Sequence, residues 1–261
     1  MVKDVSKVQG NTLKEVNIRF DYENVFQISP EILREIDYKL RTNGYRIKYS
    51  KLTEEDFVQL DSVLSENSVP YEYLKDINSY NFISEDNGIV IKLNQLFCEI
   101  SQDVSIEKYT SFNELYEVIQ SLVKILKEKL NVHLTRIGVR KIDEIFFKDF
   151  NNFNKYFKDE LLEFALWDTY ITESKVYQSF CIDNKEINLI RLLDRGILNG
   201  EELYRLYLVY DVYNIKTELL NNNFDECIFE INKLADKLFY DSITEETRRC
   251  FNENIRIGDG Y

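Results

Sequence analysis

The sequence is poor in the residues on which several common kinds of functional site depend. It has one histidine, eight glycines and two prolines among 261 residues. The single histidine, His133, excludes a metal centre built from several histidines and any catalytic pair that needs two of them. The few glycines form no G-x-G-x-x-G, G-x-x-x-x-G-K-[ST] or G-x-S-x-G motif, so the standard phosphate-binding loops and the serine-hydrolase turn are not present.

Long apolar runs and paired cysteines are also missing. No apolar stretch approaches the roughly 18 residues of a membrane span, and the first residues lack the apolar core of a secretion signal. The four cysteines are widely spaced and show no C-x-x-C pair, which is typical of reduced, buried, structural thiols. We therefore expect a cytoplasmic protein that holds no metal and no other cofactor and does not enter the membrane.

Charge and composition describe an acidic chain that folds. The hydrophobic fraction of 44% is high enough for a packed core, and the 30% of charged residues keep the surface polar. The formal net charge of -13 repels phosphate backbones. We therefore do not expect nucleic acid as a partner.

Local patterns in the first half predict a strand, a helix, a hairpin and a long helix. Alternating polar and apolar residues over 13–22 are typical of a half-buried strand. Ser29 can begin a helix as its N-cap, and a weaker helical pattern covers 53–64. The Asn87-Gly88 pair is typical of a hairpin turn, and a long helix with one apolar face is predicted to start after Ser111.

The second half repeats this order, with a second long helix predicted to begin at Asn223. The other predicted elements are strands over 134–146, 175–182, 186–193 and 203–213 and a weakly helical, Phe-rich segment ending at Phe164. The sequence thus predicts an α+β fold of two similar halves, residues 1–131 and 132–261, each an antiparallel β-meander covered by a long α-helix. We expect the halves to pack together as one compact unit that arose by internal duplication.

The strand that opens the second half contains the most distinctive candidate site. Alternate residues of a strand share a face, so Arg136, Gly138 and Arg140 are expected to point the same way. Two guanidinium groups beside a glycine can bind a carboxylate or phosphate of a ligand or partner. The alternative, which we expect, is that both arginines pair with carboxylates of the chain itself. In either case the glycine suggests that some group approaches the backbone closely.

Tyrosines form the second candidate site. Tyr204, Tyr207, Tyr210 and Tyr213 recur every third residue in a predicted strand, where Tyr207 and Tyr213 share one face. Exposed tyrosine is enriched at protein interfaces, so Tyr207 and Tyr213 are candidates for contact with a partner. Packing in the core or on the sheet surface is the alternative for most of these tyrosines.

A resemblance to other proteins rests on the strand from Arg136 to Asp143 and on shorter segments between about residues 13 and 247. The strand is similar to the motif Arg-Ile-Gly-Leu-Arg-Tyr-Ile-Asn, except that Lys141 stands in place of tyrosine and Asp143 in place of asparagine. The motif marks a sporadically distributed family of uncharacterised bacterial proteins of about this length, which the chain resembles. The resemblance implies kinship and a shared fold, and it implies no reaction.

No catalytic residue can be assigned from these patterns. The many carboxylates are mostly adjacent in sequence, and neighbours in a helix or strand do not converge on one point. We therefore expect a non-enzymatic scaffold or protein-interaction protein, with chaperone-like, antitoxin-like or phage-defence accessory roles as narrower hypotheses. The expected partner is another protein, or a second copy of the chain in a homo-oligomer. The alternative is a hydrolase or nuclease whose carboxylates converge across the fold.

Overall fold

The computed structural model of the chain describes residues 12–22, 28–51, 78–84, 86–104, 109–147, 153–158, 173–198 and 201–252. The strands are β1 (Leu13–Tyr22), β2 (Arg46–Lys51), β3 (Asn78–Ser84), β4 (Ile89–Leu93), β5 (Phe97–Asp103), β6 (Leu134–Phe147), β7 (Glu173–Ile182), β8 (Lys185–Leu198) and β9 (Glu201–Asn214). The helices are α1 (Pro30–Arg41), α2 (Phe112–Leu130), α3 (Phe153–Tyr156), α4 (Thr217–Asn222), α5 (Phe224–Ser242) and α6 (Glu245–Asn252). The helix predicted over 53–64 and the end of the Phe-rich segment lie outside the described residues.

The strands form one antiparallel sheet in the order β2-β3-β4-β5-β1-β6-β9-β8-β7. The mixed fold with antiparallel strands is confirmed, and the sheet runs without a break from one half of the chain to the other. Each half departs from a simple meander in the same way, because its first strand lies beside its last. Strand β1 pairs with β5, strand β6 pairs with β9, and β1 and β6 pair with each other at the centre.

Short sequence signals begin and end many of these elements. The backbone N–H of Ile32 donates to Ser29 Oγ at 3.4 Å, and that of Glu114 donates to Ser111 Oγ at 3.1 Å, so both predicted N-caps are confirmed. Gly88 has a φ of 63° in the turn between β3 and β4, as its Asn-Gly sequence predicts. Helix α5 begins directly after Asn223, close to the predicted start, but the side chain of Asn223 makes no capping hydrogen bond to the backbone of α5.

The main core lies between the helices and one face of the sheet. Helix α2 contacts β1 and β5, and helix α5 contacts β6 and β9, so each long helix lies on strands of its own half. Their apolar stripes share one cluster of buried residues with the inward side chains of the central strands. This cluster includes Ile18, Phe20, Ile119, Leu122, Val139, Val212, Ile228 and Ile231.

The opposite face of the central strands is polar, and we call it the polar face. Its members at the centre of the sheet, set by the strand pairing, are Asn17, Arg19, Asp21, Glu99, Arg136, Gly138, Arg140, Asp211, Tyr213, Asn188 and Tyr177. The expectation of a half-buried β1 is wrong, because Asn17, Arg19 and Asp21 are 7%, 5% and 3% exposed. Long side chains of neighbouring strands cover them. The guanidinium of Arg19, for example, lies 3.9 Å from the ring centroid of Phe97.

Candidate functional site

A pocket of about 180 Å³ lies on the polar face. It begins at β5 and extends across β1, β6, β9 and β8 to the edge strand β7. Its walls are formed by Asn17, Arg19, Glu99, Arg136, Gly138, Arg140, Tyr177, Asn188, Ile190 and Asp211. Three of the residues singled out from the sequence, Arg136, Gly138 and Arg140, are brought together here. They share one face of β6, as the alternation along the strand predicts.

Arg136 is buried and is held by two carboxylates of the chain, although its Nε, like that of Arg140, has no hydrogen-bond partner among the described residues. Its Nη2 donates to both carboxylate oxygens of Asp211 at 3.1 Å, and its Nη1 lies 3.5 Å from Oδ2 of Asp21. Burial lowers the pKa of Arg136, but the charges of Asp211 and Asp21 more than compensate, so the net shift of its pKa is upward. Arg136 therefore has the internal role that we expected for both arginines.

Gly138 leaves room for the side chain of Arg136. A Cβ atom at this position would lie 3.2 Å from Cβ of Tyr213 and 3.4 Å from Nη2 of Arg136. The guanidinium of Arg136 stacks on the Tyr213 ring, 4.3 Å from the ring centroid. The close approach that a glycine inside this strand suggests is therefore made by the chain itself.

Arg140 differs from Arg136 in forming no ion pair with a carboxylate of the described residues. Its buried Nε has no hydrogen-bond partner among the residues that the structure describes. Asn17 of β1 and Asp211 of β9 lie directly opposite it, but both carboxylate oxygens of Asp211 are occupied by Arg136. Among the described residues, the expected internal pairing is thus found for Arg136 and not for Arg140, since Arg136 holds Asp211.

Arg19 and its two acidic neighbours form the wall of the pocket on the β1 and β5 side. The Nε of Arg19 donates to Oδ1 of Asp21 at 2.6 Å, and its Nη1 lies 3.8 Å from Oε2 of Glu99. Asp21 thus links Arg19 to Arg136. The acidic groups around the pocket are therefore each held by an arginine.

The far end of the pocket is more exposed and carries uncharged groups. Asn188 Oδ1 accepts hydrogen bonds from Tyr177 Oη at 2.8 Å and from Ser179 Oγ at 2.7 Å. Tyr177, on the edge strand, is 56% exposed, whereas Asn188 is 9% exposed. The pocket therefore runs from a buried charged end at β1 and β6 to an open aromatic end at β7.

The two candidate tyrosines lie apart from each other on the same face of β9. Tyr213 contacts Arg136 beside the pocket, whereas Tyr207 is about 20 Å further along the strand. There the ammonium of Lys14 donates to Tyr207 Oη and lies 3.3 Å from Oε2 of Glu144. Tyr207 therefore belongs to a second polar cluster and does not line the pocket.

Sequence reasoning missed most of the pocket. Its walls include Asn17, Arg19, Glu99, Tyr177, Asn188 and Asp211, none of which we had singled out. For β1 a signal is present, because Asn17, Arg19 and Asp21 alternate on one face, as Arg136, Gly138 and Arg140 do on β6. Of the three facing pairs only Asp21 and Arg136 are oppositely charged, and such a pair favours placing the two strands side by side.

The cysteine prediction needs one correction. Cys98 and Cys227 are buried free thiols, as expected, but the thiol Cys181 is exposed on the edge strand β7. Burial raises the pKa of Cys98 to about 12. The side chain of Cys250 lies outside the described part of the chain.

The described residues form neither a metal-binding cluster nor a membrane-spanning helix. No group of three or more His, Cys, Asp or Glu side chains in the described ranges is arranged to hold a metal ion. No helix in the described part of the chain is long and apolar enough to cross a membrane.

When the chain is compared with protein-family models and with curated proteins, neither comparison yields a match.

Proposed function

We propose that the chain is a non-enzymatic binding protein that engages a protein partner through the pocket on its polar face. The observation that carries this proposal is Arg140, a cation that is partly buried in the pocket and has no carboxylate partner in the described part of the chain. The buried Nε of Arg140 is a donor without an acceptor among the described residues, which is costly within a folded protein. A partner that supplies the acceptor would remove this cost.

The surroundings of Arg140 support binding over hydrolysis. Asp21, Asp211 and Glu99 are the acidic groups around the pocket, and each is held close to Arg19 or Arg136. A carboxylate held by an arginine is a weaker base and a poorer metal ligand than a free one. The alternative function, a hydrolase or nuclease with convergent carboxylates, gains no support from this geometry.

The exposed end of the pocket supports a protein as partner. Tyr177 presents an aromatic ring at the rim, and Ile190 adds an apolar surface next to it. Tyrosine and arginine are the residues that most often dominate the binding energy of protein interfaces. The partner would thus contact Tyr177 at the edge of the sheet and reach Arg140 further in.

Photo-crosslinking inside the source cells tests this function. A photoreactive phenylalanine analogue replaces Tyr177 in one variant and Tyr38 in the control, since Tyr38 is exposed on α1. We expect an adduct with one defined polypeptide from position 177 only, and its loss when Arg140→Ala is added. Equal adducts from both positions, or adducts that do not depend on Arg140, would contradict the proposal.

We also propose that the two halves are structural repeats related to the bacterial family that the strand from Arg136 to Asp143 resembles. In support, each half places its first strand at the centre beside its own last strand. In each half the last strand is also followed by a long helix, α2 or α5, although the short helix α4 precedes α5. Since the two first strands pair antiparallel, a two-fold axis through the sheet would relate the halves.

A further inference from the structure

We propose that the group bound at Arg140 is the C-terminal carboxylate of an extended peptide, an assignment that rests on the function proposed above. The pocket has three features that the last residue of a peptide would match together. They are a cation whose Nε has no partner among the described residues, a hydrogen-bond acceptor opposite it that also has none there, and an open path to the edge of the sheet.

The cation is the guanidinium of Arg140. Its Nε is buried and has no hydrogen-bond partner among the described residues. The planar guanidinium can donate two parallel hydrogen bonds to a carboxylate, which gives both strength and orientation. Arg136 holds both carboxylate oxygens of Asp211, the residue opposite Arg140 on β9, so a bound molecule can supply the acceptor that Arg140 lacks among the described residues.

The acceptor is the side chain of Asn17, directly opposite Arg140 in the pairing of β1 with β6. Its Oδ1 is buried and likewise has no hydrogen-bond partner in the described part of the chain. Side chains that lie opposite each other on antiparallel strands have Cβ atoms about 5 Å apart. The last residue of a peptide carries a carboxylate and a backbone N–H on the same carbon, so it can fill both positions at once.

The charge of the pocket selects a carboxylate over a phosphate. Glu99 and Asp211 line the same pocket as Arg140, and both are held by other arginines. A phosphate group carries close to two negative charges at neutral pH and would be repelled by these carboxylates. A carboxylate carries one negative charge, which the one available guanidinium balances.

The shape of the pocket selects a peptide. From Asn17, which is 7% exposed, the pocket leads to Tyr177, which is 56% exposed. Tyr177 lies on β7, the last strand of the sheet, so the rest of an extended chain can leave the pocket over that edge. The ring of Tyr177 and the side chain of Ile190 can pack against the residues that precede the C terminus.

Three acetylated tripeptides and inorganic phosphate test the assignment. The first peptide is trialanine with a free C-terminal carboxylate, the second is the same peptide as its amide, and the third is an amide with an internal aspartate. Binding is followed through the Nε–Hε signal of Arg140 in protein with ¹⁵N-labelled arginine. We expect saturable binding of the free-carboxylate peptide and at least tenfold weaker binding of the other two peptides and of phosphate.

Two variants and one control link the binding to the site. Arg140→Ala and Asn17→Asp, which places a carboxylate beside Arg140, should each weaken binding of the free-carboxylate peptide at least tenfold, as followed by calorimetry. Arg34→Ala, which removes an exposed arginine of α1, should leave the binding of the free-carboxylate peptide unchanged. If one of the two pocket variants does not fold, the other one decides the test.

The outcomes separate this assignment from the proposed function. Equal binding of the amide, of the internal aspartate or of phosphate would overturn the C-terminal carboxylate as the ligand. The assignment would also be overturned if none of the four probes bound. If crosslinking at position 177 still depended on Arg140 in that case, the proposed function would stand. Selective, Arg140-dependent binding of the free-carboxylate peptide supports the assignment.

Discussion

Arg136 and Asp21 lie opposite each other on the two central strands, with Nη1 of the arginine 3.5 Å from Oδ2 of the aspartate. Because β1 belongs to the first half of the chain and β6 to the second, this buried ion pair joins the two halves. Asp21 also accepts a hydrogen bond from Arg19, and Arg136 also holds Asp211. The four side chains form one network along the junction, and Arg140 lies beside this network without belonging to it.

The two arginines of β6 should therefore differ in their effect on stability. Arg136→Ala leaves the partly buried Asp211 without its cation and the buried Asp21 with Arg19 alone, so it should lower the free energy of unfolding by about 3 kcal/mol. Arg140→Ala removes no internal partner and should change it by less than about 0.5 kcal/mol. Urea denaturation of both variants measures the difference. Losses of similar size would show that Arg140 also has a structural role.

Gly138 should not tolerate even the smallest side chain. In Gly138→Ala the new methyl group would lie 3.2 Å from Cβ of Tyr213, which cannot move without its strand, so a loss of roughly 1 to 3 kcal/mol is expected. Gly196→Ala in β8 is the matched control, since a Cβ atom there meets nothing within 4 Å. Thermal unfolding of the two variants gives the comparison. Equal stability would mean that the sheet adjusts at the junction.

Asp143 should make stability depend on pH. Burial raises its pKa to about 7, although the hydrogen bond from Thr12 and the charge of Lys141 act in the opposite direction. In the unfolded chain an aspartate has a pKa of about 4, so the folded protein binds the proton more tightly. The stabilisation from protonated Asp143 is therefore fully present below about pH 4 and is lost as the pH rises to about 7.

The variant Asp143→Asn isolates this effect because its side chain stays neutral at every pH. Its free energy of unfolding, relative to the natural protein, should rise by on the order of 1 kcal/mol per pH unit between about pH 4 and pH 7. Urea denaturation at several pH values provides the measurement. A difference that stays constant over this range would mean that Asp143 is already ionised in the folded protein at low pH.

The cysteines should react with iodoacetamide at very different rates. Cys181 is exposed on β7, whereas Cys98 is buried and burial raises its pKa to about 12. At pH 8 we expect rapid labelling of Cys181 and labelling of Cys98 only after unfolding, because the thiolate is the reactive form. Mass spectrometry of the digested protein identifies the labelled sites. Equal rates in the folded protein would mean that Cys98 is accessible or that Cys181 is buried.

The apolar stripes of the two long helices should contribute unequally. Leu122 of α2 is fully buried, and Leu122→Ala should lower the free energy of unfolding by about 2 to 5 kcal/mol. Leu234 of α5 is only partly buried, so Leu234→Ala should have a smaller effect. Chemical denaturation of both variants tests this order. A larger loss for Leu234 would contradict the packing of α5.

Local elements could be predicted where short-range chemistry decides the structure. The caps at Ser29 and Ser111 and the turn at Gly88 each depend on residues a few positions apart. The shared face of Arg136, Gly138 and Arg140 follows from strand alternation alone. These features required no knowledge of which strands are neighbours.

The pocket could not be predicted because it depends on strand order and register. Glu99, Asp211, Asn188 and Tyr177 reach Arg140 only through pairings between strands that are distant in sequence. Whether Arg136 or Arg140 obtains Asp211 is decided by side-chain geometry, since Asp211 lies directly opposite Arg140 and yet binds Arg136. Cys181 is exposed because β7 is the last strand of the sheet, and its sequence carries no sign of that position.

The central position of the first strand has a consequence for synthesis on the ribosome. Strand β1 emerges well before one of its two neighbours, β6, which begins only at Leu134. Until that segment is made, one edge of β1 remains without its hydrogen-bonding partner. Pairings between distant segments are slow to form, and unpaired strand edges favour aggregation. The nascent chain should therefore depend on chaperones during this interval more than its final stability would suggest.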